Sequence, residues 1–437
     1  MRIEAIYGSV RRTALAIIAV GLLTACDNPL EIEQPGILTT DELTGPASIP
    51  AVVNGIVGDF AEALDSYARY AGLFTDEFIL AGTFPNRLEF DERRIVEDNG
   101  NMNADIYEPL STARFTADTG VVNFEALLDD AEFADVRSTM LQGIAFGKLF
   151  GGFSRVLLAE GWCQSAVARG PFLASDDRMT DAITFFVDAE QAGADAGIPE
   201  ITSAAIVGQA RAHVFLGNYA AAAAAARRVP AGFEFAVEYS VNDNVQFNEV
   251  HSFTWGAAQQ QIRWTVGDGT EASRNNERFA YFNEWVILGR IDPLGAGLTA
   301  QNTTIDVHLQ QEYDTGDDPI TIATKAEADM IEAEVALRNS LPATANGLVN
   351  PYRATWGLAP LNFSTMATLG AQLTALAQER SRELWLTGQR QATSRRYRAD
   401  GVDLYTDGGP LSLDQTCWPV PRQEVDNNPN SLLFPNN

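Results

Sequence analysis

The chain has 437 residues, of which 58 are Asp or Glu and 30 are Lys or Arg, so its formal charge at pH 7 is −28. Such an acidic surface repels phosphate backbones and anionic lipid headgroups, so we do not expect nucleic acid as a partner. A chain of this length can bury a sizeable core without needing disulfides.

The N-terminal segment predicts export. Three arginines precede or adjoin an apolar run, Thr13–Leu23, which is shorter than the ~20 residues that a membrane-spanning helix needs. Residues 23–26 (Leu-Thr-Ala-Cys) then resemble a bacterial lipobox, in which the cysteine thiol receives a diacylglycerol. We therefore predict a lipoprotein signal peptide over residues 1–25 and a lipid on Cys26. The alternative is an ordinary signal peptide followed by an unmodified cysteine.

The mature chain is predicted to be anchored to a membrane without crossing it. Residues 27–36 are polar and contain proline, so residues 26–40 are predicted to be the lipidated N-terminus and a tether. A single domain is expected over residues 41–437, with no further segment apolar enough to span a bilayer. Removal of residues 1–25, which hold three arginines and one glutamate, changes the charge from −28 to −30.

Two cysteines, Cys163 and Cys417, remain after Cys26. An exported chain with an even number left over permits a disulfide between them. A chain of this size does not require one. The sequence therefore leaves open both a bridge and two free thiols.

The spacing of apolar residues predicts a mainly helical fold. Apolar or small residues recur three and four positions apart, which places them on one face of a helix. Strand-like alternation is rare, and Val237–Tyr239 and Val250–Trp255 are the best candidates for short strands. Three predicted helix faces are Ala145, Leu149, Gly152 and Val156; Ile206, Ala210 and Val214; and Ala328, Ile331 and Val335.

The segment Gln209–Pro230 predicts two helices joined by a tight turn. Gly217 ends the first helix, and the seven alanines of residues 220–226 let the second pack closely against it. The order Leu-Gly-Asn-Tyr with a later proline resembles half of a tetratricopeptide unit. Weaker relatives cover Leu141–Ala196 and open again at Lys325. Because their spacing is irregular, we predict a few helix pairs within a larger domain.

Residues 231–325 are predicted to form an ordered, loop-rich excursion with few short strands. Helical spacing fades there, and three of the seven tryptophans of the chain fall within it. A long irregular insertion in a compact domain is usually functional or disordered, and its aromatic content argues against disorder. The clustered aromatic residues are Trp255, Trp264, Phe279, Tyr281, Phe282 and Trp285.

Three segments occur in the order of a known family. Residues 30–36 (Leu-Glu-Ile-Glu-Gln-Pro-Gly) follow the lipobox. Residues 379–390 (E-R-S-R-E-L-W-L-T-G-Q-R) resemble a helix written E-R-x-x-E-L-x-x-E-G-x-R, and residues 418–429 supply closing prolines, a glutamate and Asn-Pro. This order resembles the SusD/RagB family of nutrient-uptake lipoproteins. Residues 379–398 also alternate acids and bases, which predicts an exposed or interhelical ion-pair face.

The resemblance implies a mainly α, SusD-like domain with tetratricopeptide-like helix pairs. It also implies a lipoprotein of the outer membrane, on the cell surface, that captures an oligosaccharide or peptide and passes it to a TonB-dependent barrel transporter. Family members have no catalytic residues, and their ligand-binding residues vary with the substrate, so none is carried over. Asp27 follows Cys26, and in some Gram-negative bacteria an aspartate at this position retains a lipoprotein in the inner membrane. The sequence therefore does not decide between the inner and the outer membrane.

The aromatic residues of the loop-rich stretch have two interpretations. An indole can stack on the C–H face of a sugar ring while a neighbouring polar side chain bonds its hydroxyls. Aromatic residues are also the commonest large core side chains, which is the better interpretation for each tryptophan singly. At least one is still expected to line a ligand site. The predicted ligand-binding residues are Trp255, Trp264, Tyr281, Trp285 and Arg263, whereas Trp162, Trp356, Trp385 and Trp418 are assigned to the core.

No enzyme or metal motif stands out in the sequence. The three histidines, His213, His251 and His308, share no ligand spacing, and the acidic turn Asp314–Asp318 lacks the spacing of a calcium-binding EF-hand. Nucleophile, zinc-protease and phosphate-loop motifs are missing. A glycosidase pair would be close in space rather than in sequence, so it stays open. We expect no catalytic residues, no metal and no cofactor.

Two functions compete. A nutrient-binding lid on a transporter needs a long aromatic loop region on a helical frame, which residues 231–325 supply. A tetratricopeptide-like scaffold that binds a protein or peptide partner needs regular repeats, which are missing. The sequence therefore predicts the nutrient-binding lid, without naming its substrate.

Overall fold

The computed structural model describes residues 45–242, 246–255, 261–266, 282–293, 295–303, 305–402 and 415–430. The chain divides into two compact units, Met1–Ser48 and Ile49–Asn437. In the described part of the first unit, Pro46–Ser48 forms a turn of 3-10 helix. The predicted signal peptide, Cys26 and the tether lie outside the described residues.

The described residues of the second unit are mainly helical, as the sequence predicts. A π-helical segment, Met102–Tyr107, precedes the third α-helix. The helices are α1 (Ile49–Phe74), α2 (Pro85–Asp91), α3 (Glu108–Leu127), α4 (Arg137–Gly161), α5 (Ser175–Ala196), α6 (Pro199–Phe215), α7 (Tyr219–Ala226), α8 (Glu249–Trp255), α9 (Phe282–Ile287), α10 (Lys325–Arg338), α11 (Pro342–Thr355), α12 (Leu369–Glu383), α13 (Arg390–Arg398) and α14 (Arg422–Asn427).

Helices that are consecutive in sequence pack as pairs. The pairs are α4 with α5, α6 with α7, and α10 with α11, while α1 packs against α3 and α4. Helix α10 joins the groups because it also packs on α7 and α12. The three predicted helix faces on α4, α6 and α10 are all buried. The expectation of a few helix pairs inside a larger domain is therefore confirmed.

The turn between α6 and α7 forms as predicted. Gly217 has a φ of 72°, and the Asn218 amide donates to the carbonyl of His213 at 2.9 Å. Glycine adopts this left-handed conformation without the steric penalty of a Cβ atom. The small side chains of α7 that face the core, Ala222, Ala223, Ala225 and Ala226, then become buried.

The strands are short and pair two by two. Four pairs are antiparallel, and the pair β5–β8 is parallel. The pair β1–β6 attaches the loop-rich stretch to the segment that follows α1. The pairs are β1 (Ile79–Leu80) with β6 (Trp264–Thr265), β2 (Gln164–Ser165) with β3 (Leu173–Ala174), β4 (Glu234–Val237) with β10 (Ile320–Thr324), β5 (Gln261–Ile262) with β8 (Thr299–Ala300), and β7 (Ile291–Asp292) with β9 (Leu309–Gln310).

The strand predicted at Val250–Trp255 is wrong, because these residues belong to α8. Asn248 precedes the helix, and its Oδ1 accepts a hydrogen bond from the amide of His251 at 3.2 Å. An asparagine in this position satisfies an amide that the helix itself leaves unpaired. The strand predicted at Val237–Tyr239 is shifted, since β4 ends at Val237.

The charged segment 379–398 is not one continuous helix. Helix α12 ends at Glu383 and α13 begins at Arg390, because Leu386 and Gly388 have φ values of 60° and 81°. At residue 388 a Cβ atom would lie 3.0 Å from the Tyr67 ring, so this glycine also allows close approach to α1. Most ion pairs of the segment join different elements and are largely buried, whereas Arg382 with Glu379 lies within α12.

Helix α1 corrects the expectation that no later segment could span a bilayer. The segment Pro46–Phe74 is long and apolar enough to do so by length and composition. In the fold, 17 of the 26 residues of α1 are buried. Core helices of globular domains pass the same test, and the burial of α1 makes it a helix of the core.

A disulfide joins Cys163, which follows α4, to Cys417 near the C-terminus, with their Cα atoms 5.5 Å apart. The two cysteines are 254 residues apart in sequence, and chain-entropy estimates for such a loop give about 5 kcal/mol as an upper figure. The Trp418 amide also donates to the Gly161 carbonyl at 2.8 Å. The C-terminal segment is thus fixed at the end of α4.

The core contains an ion pair between α6 and α10. Arg211 donates through Nε and Nη2 to the two carboxylate oxygens of Glu327, each at 2.6 Å. Its Nη2 also donates to the carbonyl of Ile322 in β10. Both side chains are buried, so a carboxylate without its partner would be strongly disfavoured here.

We expect Arg211→Met to lower the free energy of unfolding by about 3–5 kcal/mol, because Glu327 would stay buried without a counter-charge. The double variant Arg211→Met with Glu327→Leu should recover most of this loss. Urea unfolding measures both. Arg227→Met is the matched control, since Arg227 is 62% exposed in its pair with Glu332 and should cost under about 1 kcal/mol. Equal losses in the single and double variants would contradict the expectation.

Candidate functional site

A cavity of about 450 Å³ lies between α1, the segment 85–109 and the loop-rich stretch. Helix α1 contributes one face, with residues three and four positions apart. The other lining residues come from α2, the π-helical segment, the start of α3, α8 and the link between β5 and β6. The charged and aromatic lining residues are Glu62, Asp65, Arg69, Arg87, Asp105, Glu249, Phe253 and Arg263.

Three arginines surround one aromatic ring in this cavity. The guanidinium carbons of Arg69, Arg87 and Arg263 lie 4.0, 4.7 and 4.9 Å from the centroid of the Phe253 ring. Cation–π attraction partly offsets the repulsion between these like charges. The Phe253 side chain is only 5% exposed, so its ring is a support for the arginines and offers no open face.

The three guanidinium groups differ in how they are neutralised. Arg69 forms an ion pair with Glu249 and donates to the Ser66 hydroxyl at 3.2 Å. Arg87 and Arg263 form no ion pair with the described residues, and the buried Nε of Arg87 has no hydrogen-bond partner among them. Burial and the neighbouring charges of Arg87 and Arg69 lower the pKa of Arg263.

The acids of the cavity are mostly engaged. Asp105 accepts hydrogen bonds from the Tyr70 hydroxyl at 2.5 Å and from the Asn101 amide at 2.8 Å. Asp65 accepts from the backbone amide of Glu249 at 2.9 Å. Burial, followed by repulsion from Glu249, raises the pKa of Asp65 to about 8. Asp65 is therefore mainly protonated at neutral pH and adds little negative charge.

Asp65 should make the stability of the protein fall as the pH rises. Its pKa is about 8 in the fold and roughly 4 in an unfolded chain. The stabilising contribution of its protonated form is therefore complete below pH 4 and is lost as the pH rises towards 8. We expect the difference in free energy of unfolding, Asp65→Asn minus wild type, to increase between pH 4 and pH 8. Above pH 8 this difference should stay constant.

Urea unfolding at four pH values from 4 to 9 measures this difference. Asp129→Asn is the control, because the Asp129 side chain is fully exposed. Parallel stability curves for the wild type and Asp65→Asn would show that Asp65 does not titrate as inferred.

A second cavity of about 490 Å³ lies between β4, β10, the start of α10 and residues 383–389. Its acids already have donors within the described chain. Glu234 accepts from Thr321, Glu312 from Arg290, Asp318 from the Thr315 amide, and Glu383 from the Trp356 indole. The cavity beside α1 is therefore the better candidate site, because Arg87 and Arg263 in its lining form no ion pair within the described part of the chain.

The sequence-predicted site residues do not lie together, and two of them are buried in the core. Trp264 is fully buried, and its ring lies 5.1 and 5.2 Å from those of Phe253 and Tyr70. Trp285 is 1% exposed and stacks on Trp385 at 5.1 Å. Neither indole presents a face on which a sugar could stack.

The remaining predicted residues lie elsewhere. Trp255 is half-buried, stacks on His251 at 6.0 Å, and donates to the Gln310 carbonyl at 3.1 Å. Arg263 lines the cavity beside α1. Tyr281 lies outside the described residues. Of the predicted set, the structure therefore places only Arg263 in the described lining of this cavity.

Sequence reasoning missed Arg69 and Arg87. A signal for Arg69 exists in the sequence, because Glu62, Asp65, Ser66 and Arg69 form a polar stripe with helical spacing on an otherwise apolar helix. Arg87 follows a proline at the start of a short helix and carries no such pattern. Its position depends on the fold of residues 75–109.

Solved structures show what this fold resembles. A SusD superfamily protein from Bacteroides thetaiotaomicron is 14% identical and superposes with a TM-score of 0.65, covering 89% of this chain and 98% of its own. A SusD-like carbohydrate-binding protein from Bacteroides fragilis is 11% identical, with a TM-score of 0.65 and coverage of 89% and 99%.

The chain has a SusD-like fold. A SusD-like carbohydrate-binding protein from Bacteroides vulgatus agrees, at 15% identity, a TM-score of 0.56 and coverage of 80% of this chain and 83% of that one. No protein-family profile and no curated protein sequence matches the chain. The resemblance predicted from the sequence is thus confirmed by the SusD-like arrangement of helices.

Because Trp264 is enclosed by aromatic rings, we expect Trp264→Ala to lower the free energy of unfolding by about 3–5 kcal/mol. Trp255→Ala should cost less, since Trp255 is half-buried. Chemical unfolding of both variants measures the difference. A Trp264→Ala protein that melts like the wild type but has lost ligand binding would contradict the core assignment.

Proposed function

We propose that this protein is a lipid-anchored surface lipoprotein that captures an oligosaccharide or another nutrient and delivers it to a TonB-dependent outer-membrane transporter. The observation that carries the proposal is the cavity of about 450 Å³ in a SusD-like fold, lined by two arginines that form no ion pair with the described residues. Neighbours with this fold include carbohydrate-binding proteins. Cavities of 300–1,000 Å³ with a few convergent polar groups are typical of small-molecule sites.

The proposed role is binding without catalysis. In the cavity, Glu249 is ion-paired with Arg69, and Asp105 accepts two hydrogen bonds. A glycosidase needs one carboxyl group free to donate a proton and a second free to attack or to activate water. Asp65 is mainly protonated at neutral pH, but it is only 2% exposed and accepts from the Glu249 backbone amide. Acids that are buried or already engaged as acceptors favour a structural role over this chemistry.

Delivery to a transporter requires that binding be reversible. A protein that hands its ligand on should bind it with a Kd in the micromolar to millimolar range, or roughly −8 to −4 kcal/mol. A few charge-assisted hydrogen bonds in a partly open cavity can supply a binding free energy of that size.

Lipidation tests the location. Cells that express the wild type and are fed radiolabelled palmitate should label the protein, whereas Cys26→Ser should be unlabelled and released from membranes. Cys417→Ser is the control, because it removes a cysteine that pairs within the fold and should keep the label. Equal labelling of the wild type and Cys26→Ser would contradict lipidation at this position.

Co-purification tests the proposed partner. The tagged, lipidated protein, extracted from membranes in mild detergent, should bring a TonB-dependent barrel with it, and Cys26→Ser should recover much less. If the wild type is lipidated and folded but recovers no barrel under these conditions, the proposed delivery role is wrong.

A further inference from the structure

The cavity beside α1 contains two guanidinium groups that form no ion pair with the described residues. The acids outnumber the basic residues by 58 to 30, and yet Arg87 and Arg263 form no ion pair with the described residues. Arg69, which is 2% exposed, also has an Nε without a hydrogen-bond partner among them. Buried guanidinium donors are normally satisfied, so donors left unsatisfied in a cavity point to a ligand.

The described lining of this cavity offers no open aromatic face on which a sugar ring could stack. Its one aromatic residue, Phe253, is 5% exposed, and all three guanidinium groups lie within 5 Å of its centroid. What remains available is the planar fork of an arginine, which matches the two oxygens of a carboxylate.

The charges along the cavity also favour one orientation of a bound ligand. A smaller cavity of about 280 Å³ continues from it past Glu62, Ala104 and Pro109, and is lined by Asp59 and Glu108. Negative charge there repels an anion and accepts hydrogen bonds from hydroxyl groups. A ligand with a carboxylate would therefore place that group beside Arg87 and Arg263 and its hydroxyl groups towards Glu62.

We infer that this cavity takes an acidic oligosaccharide, with a uronate carboxylate held by Arg87 and Arg263. The inference rests on the proposed function and names the class of its ligand. Arg69 lies 4.0 Å from the centroid of Phe253, and its own charge is balanced by Glu249. A peptide C-terminus carries the same carboxylate group, so a peptide is the alternative ligand.

Calorimetry with the purified mature protein tests the inference. The probes are a trimer of galacturonic acid and its methyl ester, which has the same rings without the charge. We expect the acid to bind at least about tenfold more tightly than the ester, the change expected for a charge-assisted hydrogen bond. Binding of the acid should also weaken as salt is raised.

Variants then locate the carboxylate. Arg87→Gln and Arg263→Gln should each weaken binding of the acid by about tenfold or more, and Arg263→Lys should retain part of it because it keeps the charge without the fork. Arg94→Gln is the matched control, since the Arg94 side chain is 60% exposed and paired with Glu92. Arg263→Gln should melt at or above the wild-type temperature, because folding brings Arg263 close to two like charges, so lost binding would not reflect unfolding.

Equal binding of the acid and the ester, or an acid affinity that neither glutamine variant changes, would overturn the inference while leaving nutrient capture intact. A peptide arm uses a tripeptide with a free or an amidated C-terminus. Binding of the free peptide but not of the uronate would show that the ligand is not an oligosaccharide. The conclusion that Arg87 and Arg263 hold a carboxylate would then stand. If no probe binds, the inference fails, and co-purification of the barrel decides the proposed function separately.

Discussion

The arrangement of helices depends on two buried carboxylates of α10. Glu327 and Glu334 are seven residues apart on one face of the helix, and both are fully buried. Glu327 pairs with Arg211 of α6, and Glu334 with Arg396 of α13 at 2.8 and 3.0 Å. Burial opposes the charge of Glu334, but Arg396 and Arg338 hold its pKa below the usual range. Because an unpaired buried carboxylate is very costly, these helices are fixed together around α10.

Polar contacts also connect the C-terminal part of the chain to the residues that lead to the candidate site. Arg390, at the start of α13, donates to the Thr75 carbonyl just after α1 at 2.9 Å, and the Leu386 amide donates to Glu77. The disulfide holds the segment after α13 against the end of α4. The residues that follow α1 are therefore positioned by the last hundred residues of the chain. Those residues lead directly into α2, which carries Arg87 to the cavity.

Local patterns explain which parts of this structure the sequence predicts. The effects of Gly217 and of the alanines of α7 are local in sequence, so both the turn and the helix pair could be predicted. Which aromatic residues of the loop-rich stretch are buried could not be predicted, because the burial of Trp264 depends on Tyr70 and Phe253 meeting across the fold. Trp255 lies in a helix where the sequence predicts a strand, and the Asn248 side chain caps the start of that helix by accepting from the His251 amide. Residues 379–398 show the same limit, since their charge pattern gives no sign of the left-handed residues 386 and 388.

Core and cavity use the same residue types in opposite ways, and this contrast supports the site assignment. In the core, Arg211 and Arg396 each meet a carboxylate with two hydrogen bonds. In the cavity, burial and then the like charges of Arg87 and Arg69 lower the pKa of Arg263, and Asp65 is buried where ionisation is opposed. Folding alone would favour replacing either residue with a neutral one. Groups that oppose stability in this way and that converge on a cavity are a characteristic of binding sites.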